Sequence, residues 1–164
     1  MNVAAFLSDL ESLNWYRDQI VHREDIPSRR ATYSDLERPL HPRLHETLEA
    51  AGIESLYSHQ AEAIDAARRG ENVIVATPAA SGKSLCYNLP VLEALLEDRA
   101  SRALYIFPTK ALAQDQSKTL SGLIPDGKRV RHGIFDGDTP SQDRPDVRRY
   151  SRVLITNPDM LHLG

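Results

Sequence analysis

The spacing of apolar positions changes near residue 70. Before it, the spacing is helical. Phe6, Leu10, Leu13 and Ile20 stand at i, i+4, i+7 and i+14, which predicts a helix over 3–20. Leu44, Leu48 and Ala51 predict a second helix over 42–51, opened by Pro42 and stopped by Gly52. A third helix is predicted from Ser58, a good N-cap type, to just before Gly70. Residues 21–40 are polar, carry Pro27 and Pro39, and read as an extended connector. Beyond Gly70 come short runs rich in β-branched or aromatic residues: "NVIVA" (72–76), "ALYIF" (103–107), "VRHGIF" (130–135) and "RVLIT" (152–156). Helical stretches at 83–97, 110–121 and 140–149 separate them. Alternating strands and helices predict an α/β fold, a parallel sheet with helices on both faces, because parallel strands need crossover connections. The first three runs lack polar alternation, as strands buried on both sides should.

Composition narrows the class. The chain has 164 residues, 41% hydrophobic and 26% charged, enough for one domain with a core. Net charge is −3, so a grip on nucleic acid must come from local groups rather than a bulk basic field. No apolar run is long enough to span a membrane, so no membrane association is expected. The N-terminus has no basic start and carries Asp9 and Glu11, unlike a signal peptide. Cys86 is the only cysteine, which rules out an internal disulfide; it reads as a small buried core residue. Together these features predict a cytoplasmic protein.

The chemistry concentrates in "ATPAASGKS" (76–84), between the first strand-like run and a helix. It ends in Gly82-Lys83-Ser84, as a phosphate-binding loop does, but has Thr77 where the usual pattern places its first Gly. A helix start offers unpaired backbone N–H groups and a positive dipole end to an anion. Gly82 lets the backbone approach phosphates, Lys83 would reach the β- and γ-phosphates, and the Ser84 hydroxyl would hold Mg²⁺. The small residues Ala79, Ala80 and Ser81 leave the loop open to oxygens. These residues predict a nucleotide's phosphates and Mg²⁺ as ligands; the choice of ATP belongs to the resemblance that follows.

With its neighbours, the loop resembles superfamily-2 helicases and translocases, the DExD/H-box group, which have a small residue in place of the first Gly. "GKSLCYNLPVL" is similar to the RecQ side of that group. "LYSHQAEAI" (56–64) resembles the upstream glutamine motif, and Gln60 precedes Lys83 by 23 residues. The resemblance implies that the Gln60 amide selects adenine, since it can both donate and accept. Tyr57 either stacks on the base or belongs to the core. "FPTKALAQDQ" (107–116) is similar to motif Ia, which implies that Pro108, Thr109, Lys110 and Gln114 contact a phosphodiester backbone; Thr109 also reads as a helix cap. "FDGDTP" (135–140) resembles motif Ib, with Asp138 and Thr139 as backbone contacts or as turn and cap residues. "ITNPDMLH" (155–162) resembles motif Ic, with Thr156, Asn157 and Pro158 at a phosphate. Arg144, Arg148, Arg149 and Arg152 cluster nearby and read as a solvated helix face.

The segment before these motifs narrows the resemblance to bacterial helicases of the mitomycin-repair type, which carry a C-terminal zinc-binding domain. The implied fold is part of a RecA-like P-loop domain: a helical extension and connector at 1–52, then the first part of lobe 1 at 53–164. The implied activity is ATP-dependent helicase action on nucleic acid, DNA ahead of RNA. No D-E-x-H box occurs in the sequence, and the second RecA-like lobe is missing from it. The chain therefore reads as an N-terminal fragment, inactive in ATP hydrolysis alone. Two other readings stay open: a P-loop nucleotide or small-molecule kinase, and a non-catalytic nucleotide-binding module.

Overall fold

A computed structural model describes residues 2–27, 30–125 and 130–163. Part of the connector (28–29) and the start of the "VRHGIF" approach (126–129) lie outside them. The chain forms two compact units, 1–31 and 32–164. Residues 32–52 therefore pack within the second unit and not with the helical extension expected at 1–52.

The first unit holds helix α1 (Val3–Glu11). Asn2 caps it, its side chain accepting from the amides of Ala4 and Ala5. The helix predicted over 3–20 stops early. The Ser12 hydroxyl turns back to the Asp9 carbonyl at 2.6 Å, and Asp18 takes φ 52°. No residue of α1 is buried, and Phe6 and Leu13 stay exposed. Helices this short draw their stability from a packed face, and within this unit the stripe has none, so propensity alone does not carry it past Ser12.

The second unit contains α2 (Pro42–Ala50), α3 (Ser58–Arg68), α4 (Lys83–Glu97), β1 (Ala103–Ile106), α5 (Lys110–Leu123), β2 (His132–Phe135), α6 (Arg144–Tyr150), β3 (Val153–Thr156) and α7 (Pro158–Leu163). The strands form a parallel sheet in the order β1-β3-β2. The register aligns Tyr105, Ile155 and Ile134 across one face. That face meets the core: Tyr105 donates to Asn88 Oδ1 of α4 at 2.8 Å, and Ile155 packs with Leu89, Leu92 and Leu120. The opposite face carries Leu104, Leu154 and Gly133. α6 covers it at β2, where a Cβ on Gly133 would stand 2.6 Å from Ser151 Oγ and 3.0 Å from Val147 Cγ1. At β1 the same face is open, with Leu104 and Ile106 about half exposed.

The predicted strand at 72–76 is not formed. Its residues pair with none of the three strands, and Ile74 is 95% exposed. Its residue types suit a strand, but a strand also needs a ladder partner, and none of the described residues supplies one.

A buried ionic knot fastens the connector to the helices. Arg68 Nε and Nη2 donate to both Glu93 oxygens at 2.9 and 2.7 Å, and Nη1 donates to Asp65 Oδ1 at 3.0 Å. The Arg38 and Pro39 carbonyls accept from the same guanidinium. The amides of Glu37 and His41 donate to Asp65 and Glu93. Residues 37–40, read as a plain connector, and His41 after them are thereby held against α3 and α4.

Arg152 does not belong to a solvated helix face. Its guanidinium donates to the carbonyls of Leu95 (2.8 Å) and Asp98 (2.6 Å), closing the C-terminal end of α4. Cys86 is buried, and burial pushes its thiol pKa up, as suits a core residue rather than a nucleophile.

His132 sets a pH response. It is half-buried against α5, its Nε2 3.1 Å from Ser121 Oγ, and burial lowers its pKa below the ordinary imidazole value. The unfolded chain then binds a proton that the folded chain resists. Stability is highest above the unfolded pKa near 6.5 and falls as pH drops toward the depressed folded value. Melting curves from pH 7.5 to 5 should show a falling Tm, with a shallower fall in His132→Asn. Parallel profiles in the two proteins would contradict this.

Candidate functional site

Helix α3 and the loop before α4 build one wall of the site. Gly82 is the N-cap of α4 in the left-handed region at φ 77°, and no side chain caps the helix. By contrast, Thr109 caps α5 by accepting from the Leu112 amide. The first turn of α4, 15 residues long, is thus open to an outside acceptor. Lys83 folds back over its own loop, donating to the carbonyls of Thr77 (2.8 Å) and Pro78 (2.6 Å). Thr77 and Ser81 share a hydroxyl contact of 2.6 Å. Ala79 is exposed. Ala80 takes φ 58°, a left-handed conformation costing a non-glycine residue about 1–2 kcal/mol. Strain of this kind persists where the surroundings impose it, often at ligand loops.

Gln60 latches this loop to α3. It is 2% exposed; its Oε1 accepts from the Tyr57 amide at 2.9 Å and its Nε2 donates to the Gly82 carbonyl at 2.9 Å. Each end of the amide is therefore engaged within the protein, with a lone pair and an N–H to spare. His59 Nε2 lies 3.0 Å from the Ser81 carbonyl, a second tie with no signal in the sequence. Tyr57 stacks on Tyr33 (5.2 Å between centroids) and on His59 (5.8 Å). A cleft of about 510 Å³ opens among Tyr33, Ile53, Tyr57, Gln60, Gly82 and Leu85. Tyr33 came from the polar connector with no local signal beyond its ring. A hollow of about 780 Å³ between α2 and the end of α5 contains none of these residues.

The far wall is α5. The Ser84 hydroxyl donates to Gln116 Oε1 at 3.2 Å, and the Tyr87 hydroxyl donates to the same oxygen. Gln116 carries no signal of its own in the sequence, and Gln114, two positions before it, is exposed on another face of α5. The difference is one of helix phase: Gln116 turns toward α4.

A second cluster crowns the C-terminal ends of all three strands, where open parallel sheets place ligand groups. After β1, Pro108, Thr109 and Lys110 are exposed. Lys110 Nζ meets Asp138 Oδ1 at 2.6 Å, joining the loops after β1 and β2. Thr139 donates to the Ile134 carbonyl, and buried Asp136 accepts from the Asp138 amide at 2.9 Å, fixing the second loop. At β3 the residues are less available. Thr156 is 1% exposed and its hydroxyl donates to the Phe135 carbonyl at 2.7 Å. Asn157 accepts from the Met160 amide and opens α7, with Pro158 exposed beside it. Buried and already bonded, Thr156 sits here as a residue that positions β2 and β3 rather than one that faces a strand.

The chain is similar to known proteins in sequence and in fold. Residues 57–163 match the DEAD/DEAH box helicase model. Over 98% of its length the chain is 40% identical to the uncharacterised ATP-dependent helicase YprA of Bacillus subtilis and 44% identical to the ATP-dependent helicase HRQ1 of Saccharomyces cerevisiae. It spans 21% and 15% of those two proteins. The crystal structure of the DUF1998 helicase MrfA bound to DNA and AMPPNP superposes on 97% of this chain, and 22% of that one, with TM-score 0.85 and 40% identity. The parallel sheet with its helices is thus that of RecA-like helicase domains, and no helix among the described residues is long and apolar enough to cross a membrane. The chain belongs to the DEAD/DEAH box helicase family.

Proposed function

We propose that this chain is the ATP-gripping and strand-gripping part of a DNA helicase that acts in the cytoplasm. The observation that carries the reading is the join between two sites. Ser84, at the nucleotide loop, is bonded to Gln116 on α5, and α5 begins at the Thr109–Lys110 cluster. The donor set fits a magnesium-bound triphosphate: an uncapped 15-residue helix, a lysine whose ammonium currently rests on loop carbonyls, and a serine hydroxyl beside it. Lys83 and the α4 amides would hold the phosphates, Ser84 the Mg²⁺, and Gln60 with Tyr57 the adenine side. Mg²⁺ supplies neutralisation of phosphate charge. Ala79, Ala80 and Ser81 would shape the rest of the cradle.

Thr109, Lys110, Gln114, Asp138 and Thr139 would position one nucleic-acid strand through its backbone, with Pro108 and Pro158 at the rim. Such contacts fix register without reading sequence. Lys110 would exchange its Asp138 carboxylate for a phosphate. DNA is favoured over RNA because MrfA, the 40%-identical neighbour, is seen bound to DNA.

Calorimetric titration with ATP and Mg²⁺ tests the reading. Binding is expected for the chain, weakened at least about tenfold (1.4 kcal/mol) in Lys83→Ala, which removes the cation from the phosphate site. Phosphate release is expected to stay at background, since the sequence holds no D-E-x-H box. Equal binding by both proteins would remove the nucleotide assignment.

A further inference from the structure

We propose that the cleft between α6 and α7 is a second contact for a nucleic-acid backbone, extending along α6 from the loop after β2. The proposal rests on the helicase reading above. The cleft measures about 740 Å³ and is lined by Arg144, Arg148 and Arg149 together with Phe135, Ser141 and Met160. No Asp or Glu lines it, although Asp143 and Asp146 lie on or beside the same helix. Among the described residues none of the three arginines forms an ion pair. In a chain of net charge −3 this is a local concentration of uncompensated positive charge.

Aromatic rings hold the guanidinium groups in place without neutralising them. Arg144 and Arg148 lie 5.9 and 5.7 Å from the centre of the Phe135 ring. Arg149 lies 5.6 Å from the Tyr150 ring, which Arg131 also approaches at 5.4 Å. Cation–π contacts of this kind orient a guanidinium while leaving its N–H fork available to phosphate. Arg144 Nε also donates to the Thr139 carbonyl at 3.0 Å, which makes the cleft continuous with the loop after β2. From Arg144 to Arg149 the helix rises about 7 Å, so the arginines reach more than one phosphate. A polymer backbone suits that spread better than a single small anion.

The cleft differs from the solvated face the sequence suggested. Phe135 is 6% exposed, so the ring under Arg144 and Arg148 is part of the folded interior. Arg152, grouped with them by sequence, is spent on α4 and takes no part.

Fluorescence anisotropy of a labelled single-stranded DNA oligonucleotide between 50 and 200 mM salt tests the proposal. The variant R148Q/R149Q changes two exposed side chains and leaves the Arg144–Thr139 bond intact. It should bind at least about tenfold more weakly at the lowest salt. Its plot of log affinity against log salt should flatten by about 1.4, or 0.7 per lost phosphate contact. R148K/R149K, which keeps the charge, should hold the wild-type slope and shows whether the sites tolerate substitution. Inorganic phosphate should compete no better than chloride at matched ionic strength. Unchanged affinity and slope in R148Q/R149Q, or strong competition by inorganic phosphate, overturns the cleft alone. Failure of the wild-type chain to bind DNA overturns the helicase reading as well.

Discussion

Arg68→Ala is expected to cost the second unit about 3–5 kcal/mol, the usual penalty for removing one partner from a buried ionic cluster. The side chains of Arg68, Asp65 and Glu93 are 6, 8 and 9% exposed, so little water can replace what is lost. Without the guanidinium, two buried carboxylates keep only single backbone donors, Glu37 N and His41 N. The carbonyls of Arg38 and Pro39 lose their partner too, which frees the connector from α3 and α4. Domains are stable by only about 5–15 kcal/mol, so the variant should melt about 6–20 °C below the parent. Lysine should not rescue it, because one ammonium cannot reproduce the two-pronged contact with Glu93. Arg69→Ala is the control. Arg69 also makes two 2.7 Å ion pairs, with Glu37 and Glu71, but at 45% exposure water screens them and Tm should barely move. Urea denaturation of the three proteins decides the matter; a loss in Arg68→Ala under about 1 kcal/mol would show that the knot carries no more than a surface pair.

The knot also marks the limit of what the sequence could say. β1, β2, β3 and α4 were legible because their signals are local: short β-branched runs, and a Gly-Lys-Ser at a helix start. Gln60 was legible through its spacing to Lys83, yet its partners, the Tyr57 amide and the Gly82 carbonyl, emerge only when α3 meets the loop. Arg68 looked like any polar residue at a helix end, because its two acids lie 3 and 25 positions away and its carbonyls about 30. Tyr33 and Gln116 escaped for the same reason: their roles depend on contacts across 24 and 32 positions. At 72–76 and 13–20 the residue pattern was right for an element that lacks a partner. Periodicity reports which face wants burial, not whether anything covers it.

Gly82→Ala should disable the proposed nucleotide loop and weaken the fold together. The position combines two demands that only glycine meets. Its φ of 77° lies in the left-handed region, which costs an L-residue about 1–2 kcal/mol. A Cβ there would stand 2.5 Å from Gln60 Nε2. That nitrogen ends a flexible side chain, but the side chain is buried and bonded at both ends, so it can move only by giving up the Gly82 carbonyl or the Tyr57 amide. Losing one such bond inside the protein adds about 1 kcal/mol, for a total near 2–3 kcal/mol. At this chain length that is a Tm lowered by about 4–12 °C. The functional loss should exceed the structural one. Backing away from Gln60 shifts the start of α4, and Lys83 and Ser84 move with it. ATP binding should therefore drop below detection at temperatures where circular dichroism still reports a folded chain. Gln60→Ala removes the obstacle but not the left-handed backbone, so G82A/Q60A should regain part of the Tm relative to Gly82→Ala and none of the nucleotide affinity. Wild-type ATP affinity in Gly82→Ala would mean that the loop does not need the backbone approach seen at Gly82, and the nucleotide site would have to lie elsewhere.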